Sequence, residues 1–258
     1  MMLDASRYDT DKAGFDLYLR YYEECFAPLW DREIKLLELG INKGGSLLLW
    51  RDHFPRGTIV GLDLQPIQLA DDSGRVFTYQ GPQQDTALLD RLARERAPEG
   101  FDIIIDDCAH IAAYARASFW HLFDHHLKPG GVYVIEDWGT GYWGGWPDGS
   151  GYRTRRRGAR WEPLLHRWTM RLADLKPSTD RWPLLGRAAR QLKRLLLERQ
   201  RRSHDIGMVG FVKELVDECG ISVATDPRGT PPWRASRIRD LRVTPGQVFV
   251  TKASPPAP

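Results

Sequence analysis

The 258-residue chain has little cysteine and no long apolar run. Its three cysteines lie far apart and form no CxxC pair, which argues against a disulfide framework or a zinc site. No hydrophobic stretch approaches the roughly 20 residues that a membrane-spanning helix needs. The first residues, MMLDASRYDTDK, lack the apolar segment of a secretory signal. We therefore expect a cytoplasmic protein, whose 42% hydrophobic residues suffice for one sizeable core.

The net charge of +3 hides an uneven distribution. Residues 151–203 contain 16 Lys and Arg against 4 Asp and Glu, whereas the rest of the chain contains 21 against 30. The sequence therefore predicts an acidic body that carries a basic segment, and such a segment suggests an anionic partner.

Short apolar runs alternate with segments of helical periodicity from about residue 35 to residue 137. Strands separated by helices predict βαβ units and a parallel sheet, in which right-handed crossovers place all carboxyl ends at one edge. The run LKPGG (127–131) predicts a turn. The predicted strands are 35–40, 58–64, 75–80, 101–107 and 131–137, with a helix at 209–220 and a terminal hairpin at 237–253.

The stretch LLELGINKGGSL (36–47) predicts a strand that turns through glycines into a helix. Glycines such as Gly40 and Gly44 let a backbone approach a ligand closely, and the helix N-terminus offers free amides. The dinucleotide pattern G-x-G-x-x-G is absent, so a nucleoside without a pyrophosphate fits better. Asp63, at the end of the second strand, is placed to accept hydrogen bonds from ribose hydroxyls. The alternative is an ordinary tight turn and a surface acid.

Two predicted strands end in adjacent acids. FDIIIDD ends in Asp106 and Asp107, and VYVIED ends in Glu136 and Asp137. In a doubly wound sheet these ends are neighbours, and the clustered carboxylates would repel one another unless a cation joined them. Oxygen ligands favour Mg²⁺, and we expect it on Asp107, Glu136 and Asp137. Asp106 either points to the other side or orients a loop, because neighbouring strand residues face oppositely.

His110 follows the first acid pair by one turn. A neutral imidazole there could remove a proton from a substrate hydroxyl whose pKa the metal lowers. The alternative is a histidine that caps the following helix or faces solvent. Beside four acids we favour the general base, with Asp107 as its catalytic partner on the metal.

These residues resemble the class I S-adenosylmethionine-dependent methyltransferases. More narrowly, the chain is similar to the metal-dependent sugar O-methyltransferases of macrolide biosynthesis (macrocin and mycinamicin type), and cephalosporin hydroxylase-type proteins share the same frame. The matching stretches are TDK (10–12), LLELGINKGGSL (36–47), GLDL (61–64), QGPQQD (80–85), IDDCAH (105–110) and KPGGVYVIEDWGTGYW (128–143).

The resemblance implies a Rossmann-like α/β fold, a doubly wound seven-stranded sheet with a terminal antiparallel hairpin and a basic helical insertion. It implies the same Mg²⁺ ligands and the same base. It also implies that S-adenosylmethionine is contacted by Glu38, Gly40, Gly44, Ser46, Asp63, Gln83, Asp85 and Asp106.

The chain then divides into four parts. Residues 1–34 form an N-terminal helical segment, and residues 35–143 with 207–253 form the cofactor-binding methyltransferase domain. Residues 144–206 form a basic lid or insertion, and 254–258 a disordered tail.

The sequence does not identify the partner of the basic insertion. It fits a phosphorylated or lipid-linked sugar, or an anionic membrane surface contacted peripherally through 184–202. Nucleic acid ranks lower, because no nucleic-acid motif is present. The alternative is a solvated face on helices that form a homo-oligomer. Nearby Trp138, Tyr142, Trp143 and Trp146 could stack on sugar rings, or equally form the core of a lid.

The sequence thus predicts a Mg²⁺-dependent O-methyltransferase that acts on a sugar hydroxyl of a glycan or glycosylated natural product. Two other classes stay open. One is a hydroxylase-type accessory protein that binds the cofactor, and the other is a scaffold with a degenerate methyltransferase fold that binds polyanions or membranes.

Overall fold

The computed structural model describes residues 3–14, 16–150, 204–221 and 234–254. Most of the predicted basic insertion, including 184–202, and residues 255–258 of the predicted tail lie outside this described part. Within it, no helix combines the length and hydrophobicity needed to cross a membrane.

A seven-stranded sheet runs in the order β3-β2-β1-β4-β5-β7-β6. Strands β1 to β5 run parallel to one another, whereas β7 pairs antiparallel with both β5 and β6. The predicted doubly wound sheet with a terminal hairpin is therefore confirmed. The strands are β1 (Lys35–Leu39), β2 (Thr58–Asp63), β3 (Val76–Gln80), β4 (Phe101–Asp106), β5 (Leu127–Glu136), β6 (Ile238–Val243) and β7 (Gln247–Lys252).

Helices cover both faces of the sheet, so β4 reads as a continuous apolar run rather than an alternating one. One core lies under the third, fourth and fifth helices and contains Phe119 and Phe211. The other lies under the first two helices and contains Tyr22, Phe26 and Trp50. The helices are α1 (Asp16–Phe26), α2 (Gly45–His53), α3 (Thr86–Arg96), α4 (Ala112–His125) and α5 (Gly207–Gly220), with short 3-10 turns at Asp11–Gly14, Ala27–Leu29 and Trp138–Tyr142.

The turn predicted at 127–131 is wrong, because these residues belong to β5. Leu127 pairs with Phe101 and Val132 pairs with Ile103, so one intervening residue of β4 is matched by four of β5. The Pro-Gly-Gly sequence forms an irregularity within the pairing, with Gly130 at a φ of 76°. Tertiary pairing at both ends of the segment thus overrides its local turn preference.

The N-terminal segment packs on the second core through α1. The Tyr22 ring lies 5.0 Å from the Trp50 ring and 5.9 Å from the Phe249 ring. This packing anchors the preceding turn, Asp11–Gly14, over the carboxyl ends of the central strands.

Candidate functional site

A cavity of about 400 Å³ opens at the carboxyl ends of β1, β2, β4 and β5. This is the edge at which doubly wound sheets bind ligands. The N-terminal segment forms one wall, the β1 and β2 ends a second, and the β4 and β5 ends a third. The lining residues are Asp9, Thr10, Asp11, Lys12, Gly40, Ile41, Asn42, Ser46, Asp63, Leu64, Asp107, Cys108, Ala109, His110 and Asp137.

Strained backbone is concentrated at this cavity. In the described part of the chain, the non-glycine residues with positive φ are Asn42 (47°), His110 (49°) and Asp137 (51°), and all three line the cavity. A non-glycine residue held in this conformation costs on the order of 1–3 kcal/mol, and such residues gather at functional sites. The surrounding contacts must therefore hold His110 and Asp137 in place.

A lysine lies at the centre of the predicted acid cluster. The Nζ atom of Lys12 is 2.7 Å from Asp107 Oδ2, 2.7 Å from Glu136 Oε1 and 3.4 Å from Glu38 Oε1. The side chain is only 2% exposed. Burial alone would lower the pKa of Lys12, but the three carboxylates outweigh it and hold this pKa well above its usual value. We call Lys12, Glu38, Glu136 and Asp107 Oδ2 the inner group.

The two glutamates of the inner group, Glu38 and Glu136, do not line the cavity. Tyr22 donates a hydrogen bond from its hydroxyl to Glu136, and Trp50 Nε1 donates to Glu38 Oε2 at 3.2 Å. Burial raises the pKa of Glu136 to about 7, although Lys12 opposes this rise, and burial also raises the pKa of Glu38. Glu136 therefore flanks Lys12 together with Asp107 but does not line the cavity, and its metal role stays a prediction.

A second set of atoms faces the cavity, and we call Asp107 Oδ1, His110 Nε2 and Asp137 Oδ2 the outer group. The imidazole nitrogen lies 3.7 Å from the Asp107 oxygen and 3.8 Å from the Asp137 oxygen. Each residue offers one ligand atom, and these atoms lie within 4.8 Å of one another. Tyr18 donates from its hydroxyl to Asp137 Oδ1 at 2.7 Å, which leaves the other oxygen directed at His110. Two carboxylate oxygens at one point fit a hard divalent cation.

The backbone of His110 is held by the segment that follows β5. Its carbonyl oxygen accepts hydrogen bonds from Thr140 Oγ1 at 3.2 Å and from Trp146 Nε1 at 3.1 Å. Thr140 is buried, and the Trp146 ring lies 6.2 Å from the imidazole ring. These two contacts fix the left-handed conformation that aims the imidazole at the carboxylates.

The other predicted aromatic residues have varied surroundings. Trp138 Nε1 donates to Thr244 O at 3.0 Å, Tyr142 is half-buried, and Trp143 is 55% exposed. Of this set, Trp146 is placed beside the outer group. Whether these rings stack on a sugar or form the core of a lid stays a prediction.

The β1 and β2 ends form the opposite wall. Asp63 Oδ2 accepts hydrogen bonds from the amides of Ile41 and Asn42 at 3.0 and 3.1 Å. Gly40 has a φ of 81°, and a Cβ there would lie 2.2 Å from the carbonyl oxygen of Asp107. This glycine therefore lets the ends of β1 and β4 meet closely, and the resulting polar wall fits the ribose side of a nucleoside.

Five other predicted cofactor residues lie near the cavity or the ends of the strands. Gln83 Nε2 donates to both oxygens of buried Asp106 at 3.1 and 3.2 Å, and its Oε1 accepts from the amide of Ala109 at 3.2 Å. Asp85 caps α3 by accepting from Leu88 N. Ser46 lines the cavity, and Gly44, with a φ of 84°, precedes α2.

Asp106 therefore faces away from Asp107, as the alternation of strand side chains predicts. Through Gln83 it holds the loop that carries His110. The cofactor roles of Gln83, Asp85 and Asp106 stay predictions, because none of these three lines the cavity.

Sequence reasoning missed the role of Lys12 and its neighbours Tyr18 and Tyr22. The stretch TDK contributes to the resemblance but suggests no contact with residues about 100 positions away. The available signal was the excess of acids at the strand ends, which needs a buried counter-charge as well as a bound cation.

Comparisons with known proteins agree with this geometry, although no family model matches the chain. Mycinamicin VI 2''-O-methyltransferase of Micromonospora griseorubida is 44% identical over 149 residues, which cover 55% of this chain and 36% of that protein. Demethylmacrocin O-methyltransferase of Streptomyces fradiae is 41% identical over 148 residues, 54% of this chain and 36% of that protein.

The fold also matches a solved structure, the MycE methyltransferase from the Mycinamycin biosynthetic pathway in complex with Mg, SAH and Mycinamycin VI. The TM-score is 0.66 at 31% sequence identity, and the match covers 98% of this chain and 54% of that chain. The present chain thus spans about half of that structure, and its matches cover about a third of the curated relatives.

The fold is that of the class I S-adenosylmethionine-dependent methyltransferases. Within that class, the chain resembles the O-methyltransferases that modify the sugars of macrolides, so the resemblance inferred from the sequence is confirmed.

Proposed function

We propose that this chain is a Mg²⁺-dependent O-methyltransferase that transfers a methyl group from S-adenosylmethionine to a sugar hydroxyl of a glycosylated small molecule. The observation that carries the proposal is one cavity with a nucleoside-compatible wall at Gly40 and Asp63 and the outer group on the facing wall. The similarity to macrolide sugar methyltransferases supports it.

The cofactor half of the proposal rests on the β1 and β2 ends. Asp63 already accepts amide hydrogen bonds, which orient its carboxylate towards the cavity. A carboxylate has lone pairs beyond these two, so it can also accept from ribose hydroxyls. Gly40, which has no side chain, and Asn42 both line the cavity with left-handed backbone.

The metal half rests on the outer group. Asp107 and Asp137 would hold the ion, and water or substrate oxygens would complete its coordination. A bound Mg²⁺ supplies a Lewis acid that lowers the pKa of a coordinated hydroxyl. Lys12 Nζ donates a hydrogen bond to Asp107 Oδ2, so the other carboxylate oxygen, Oδ1, is directed at the cavity.

His110 would act as the general base. Its Nε2 lies between the two carboxylates and faces the cavity, within reach of an acceptor hydroxyl placed on the metal. The contacts from Thr140 and Trp146 keep the imidazole in place while it accepts the proton. Positioning of the two reactants contributes the rest of the rate enhancement.

The test is calorimetric titration with S-adenosylhomocysteine, with Mg²⁺ and after chelation, followed by Mg²⁺ titration of Asp137→Asn. We expect the nucleoside to bind the wild-type protein and Mg²⁺ binding to be lost in Asp137→Asn. Asp9→Asn is the matched control, because Asp9 also lines the cavity but lies outside the outer group. Absence of nucleoside binding in both conditions would overturn the proposal.

Methyl transfer is then assayed on two glycosides that relatives of this chain are named for, mycinamicin VI and 8-demethyl-8-alpha-L-rhamnosyl tetracenomycin-C.

The predicted basic segment lies outside the described residues. Its anionic or membrane partner and the homo-oligomer therefore stay predictions. The accessory-protein and scaffold alternatives predict cofactor or polyanion binding without turnover on any glycoside.

A further inference from the structure

A second cluster of ligand-type side chains lies on the helical face of the domain, away from the cavity. Asp90 on α3 faces His121 on α4 and His126, which follows that helix. The Nε2 atoms of the two histidines lie 2.8 and 2.7 Å from the same oxygen, Asp90 Oδ1. We call these three residues the helix clasp.

We propose that the helix clasp binds a first-row transition-metal ion such as Zn²⁺. Two imidazole nitrogens and one carboxylate oxygen suit Zn²⁺, Cu²⁺ or Ni²⁺, whereas Mg²⁺ prefers oxygen ligands. The three ligand atoms lie within 4.8 Å of one another. This site is independent of the proposed methyltransferase chemistry and involves none of its residues.

The geometry needs little adjustment to accept the ion. Ligands about 2.0–2.1 Å from Zn²⁺ stand roughly 2.9–3.4 Å apart when they subtend 90–109° at the metal. The two nitrogen–oxygen separations in the clasp are only a few tenths of an ångström below that range. Both helices would therefore keep their packing while the side chains separate slightly.

The charge state and the exposure also suit a cation. Hydrogen bonds from His126 and His121 lower the pKa of Asp90, so its carboxylate is anionic at neutral pH. Each neutral imidazole can move its proton to Nδ1 and present the Nε2 lone pair. The side chains of His121, His126 and Asp90 are 18%, 17% and 37% exposed, which leaves an open side for entry and for completing water ligands.

The bound ion would join α3 to the end of α4. Since α4 begins two residues after His110, the clasp and the cavity lie at opposite ends of the same helix. An ion that binds only the folded state stabilises it by mass action, so Zn²⁺ should raise the melting temperature in a concentration-dependent manner.

The experiment is Zn²⁺ titration of the full chain in excess Mg²⁺, by calorimetry and thermal unfolding. We expect Asp90→Asn and His121→Ala to weaken Zn²⁺ binding by at least ~10-fold, the lower end of the loss for a perturbed metal site. His125→Ala is the matched control: this neighbouring ring lies 5.3 Å from that of His121 but outside the clasp, and its loss should leave binding unchanged.

Two further arms make the result decisive. Asp90→Asn keeps an oxygen that accepts from both imidazoles, so it decides the question even if His121→Ala fails to fold. Asp137→Asn removes a residue of the outer group and should leave Zn²⁺ binding unchanged. The proposal is overturned if Asp90→Asn binds Zn²⁺ as the wild type does, or if Asp137→Asn alone abolishes binding.

Discussion

The inner and outer groups contain the same kinds of acid but differ in what balances their charge. In the inner group the balance comes from the chain itself, because a buried ammonium contacts three carboxylates. In the outer group two carboxylates and an imidazole face a cavity. Asp107 belongs to both, with one oxygen in each. The comparison suggests that the inner group serves stability and the outer group serves ligand binding and chemistry.

The largest expected effect is on activity, from the outer group. His110→Gln keeps a polar side chain but cannot act as a base, so kcat/KM should fall by roughly 10²–10⁴ on whichever glycoside the wild-type protein methylates. Binding of S-adenosylhomocysteine and the free energy of unfolding should change little. Full activity in this variant would remove His110 from the mechanism.

Next comes the stability of the inner group. Lys12→Met leaves three buried carboxylates without their counter-charge, and breaking a buried pair in this way costs about 3–5 kcal/mol in the free energy of unfolding. Urea denaturation measures the loss. Lys43→Met is the control, because its ion pair with Asp9 has both side chains more than half exposed and is worth about 1 kcal/mol or less. Equal stability of the two variants would contradict the role assigned to Lys12.

The two groups also differ in how far the sequence predicts them. The convergence of acids follows from topology alone, since parallel strands end at one edge of the sheet. The lysine comes from a separate segment, and its position depends on how α1 packs against Trp50 and Phe249. Such long-range packing has no periodic signature in the sequence.

The orientation of Glu136 could have been anticipated more fully. The alternation that separates Asp106 from Asp107 applies equally to Glu136 and Asp137. In the structure Glu136 points inward, whereas Asp137, just beyond the strand, takes a left-handed conformation at the cavity. Local periodicity thus predicts that neighbouring acids point to opposite sides of the strand. Only tertiary contacts decide which of them pairs with a buried lysine of the same chain.

A smaller loss of stability is expected at Gly40, which lets the end of β1 lie close to the backbone of Asp107, the residue shared by the two groups. Gly40→Ala adds a Cβ 2.2 Å from the Asp107 carbonyl at a φ of 81°. The left-handed conformation costs about 1–2 kcal/mol, and the clash adds about 1–3 kcal/mol. Gly74→Ala is the matched control, because its φ is 67° and nothing lies within 4 Å of the added atom. Only Gly40→Ala should also weaken Mg²⁺ binding, and equal losses of stability would show that the close approach is unimportant.

The smallest expected effect is a change in the free energy of unfolding with pH, and it tests Asp107, the residue that the two groups share. Burial raises the pKa of Asp107 from 3.8 to about 7, against the opposing effect of Lys12. Between these values the folded protein holds more protons than the unfolded chain, so the free energy of unfolding falls as pH rises. One proton corresponds to a slope of at most about 1.4 kcal/mol per pH unit.

The measurement is urea denaturation from pH 5 to pH 8, for the wild type and for Asp107→Asn. The difference between the two reports Asp107 together with Glu136, because burial and the Asp107 carboxylate raise the pKa of Glu136 to about 7. His53 and His204, whose pKa values burial lowers, oppose the slope equally in both proteins. Saturating Mg²⁺ should flatten the wild-type slope, because an ion on the outer oxygen favours the ionised carboxylate. A slope that Mg²⁺ leaves unchanged would mean that Asp107 belongs to the inner group alone.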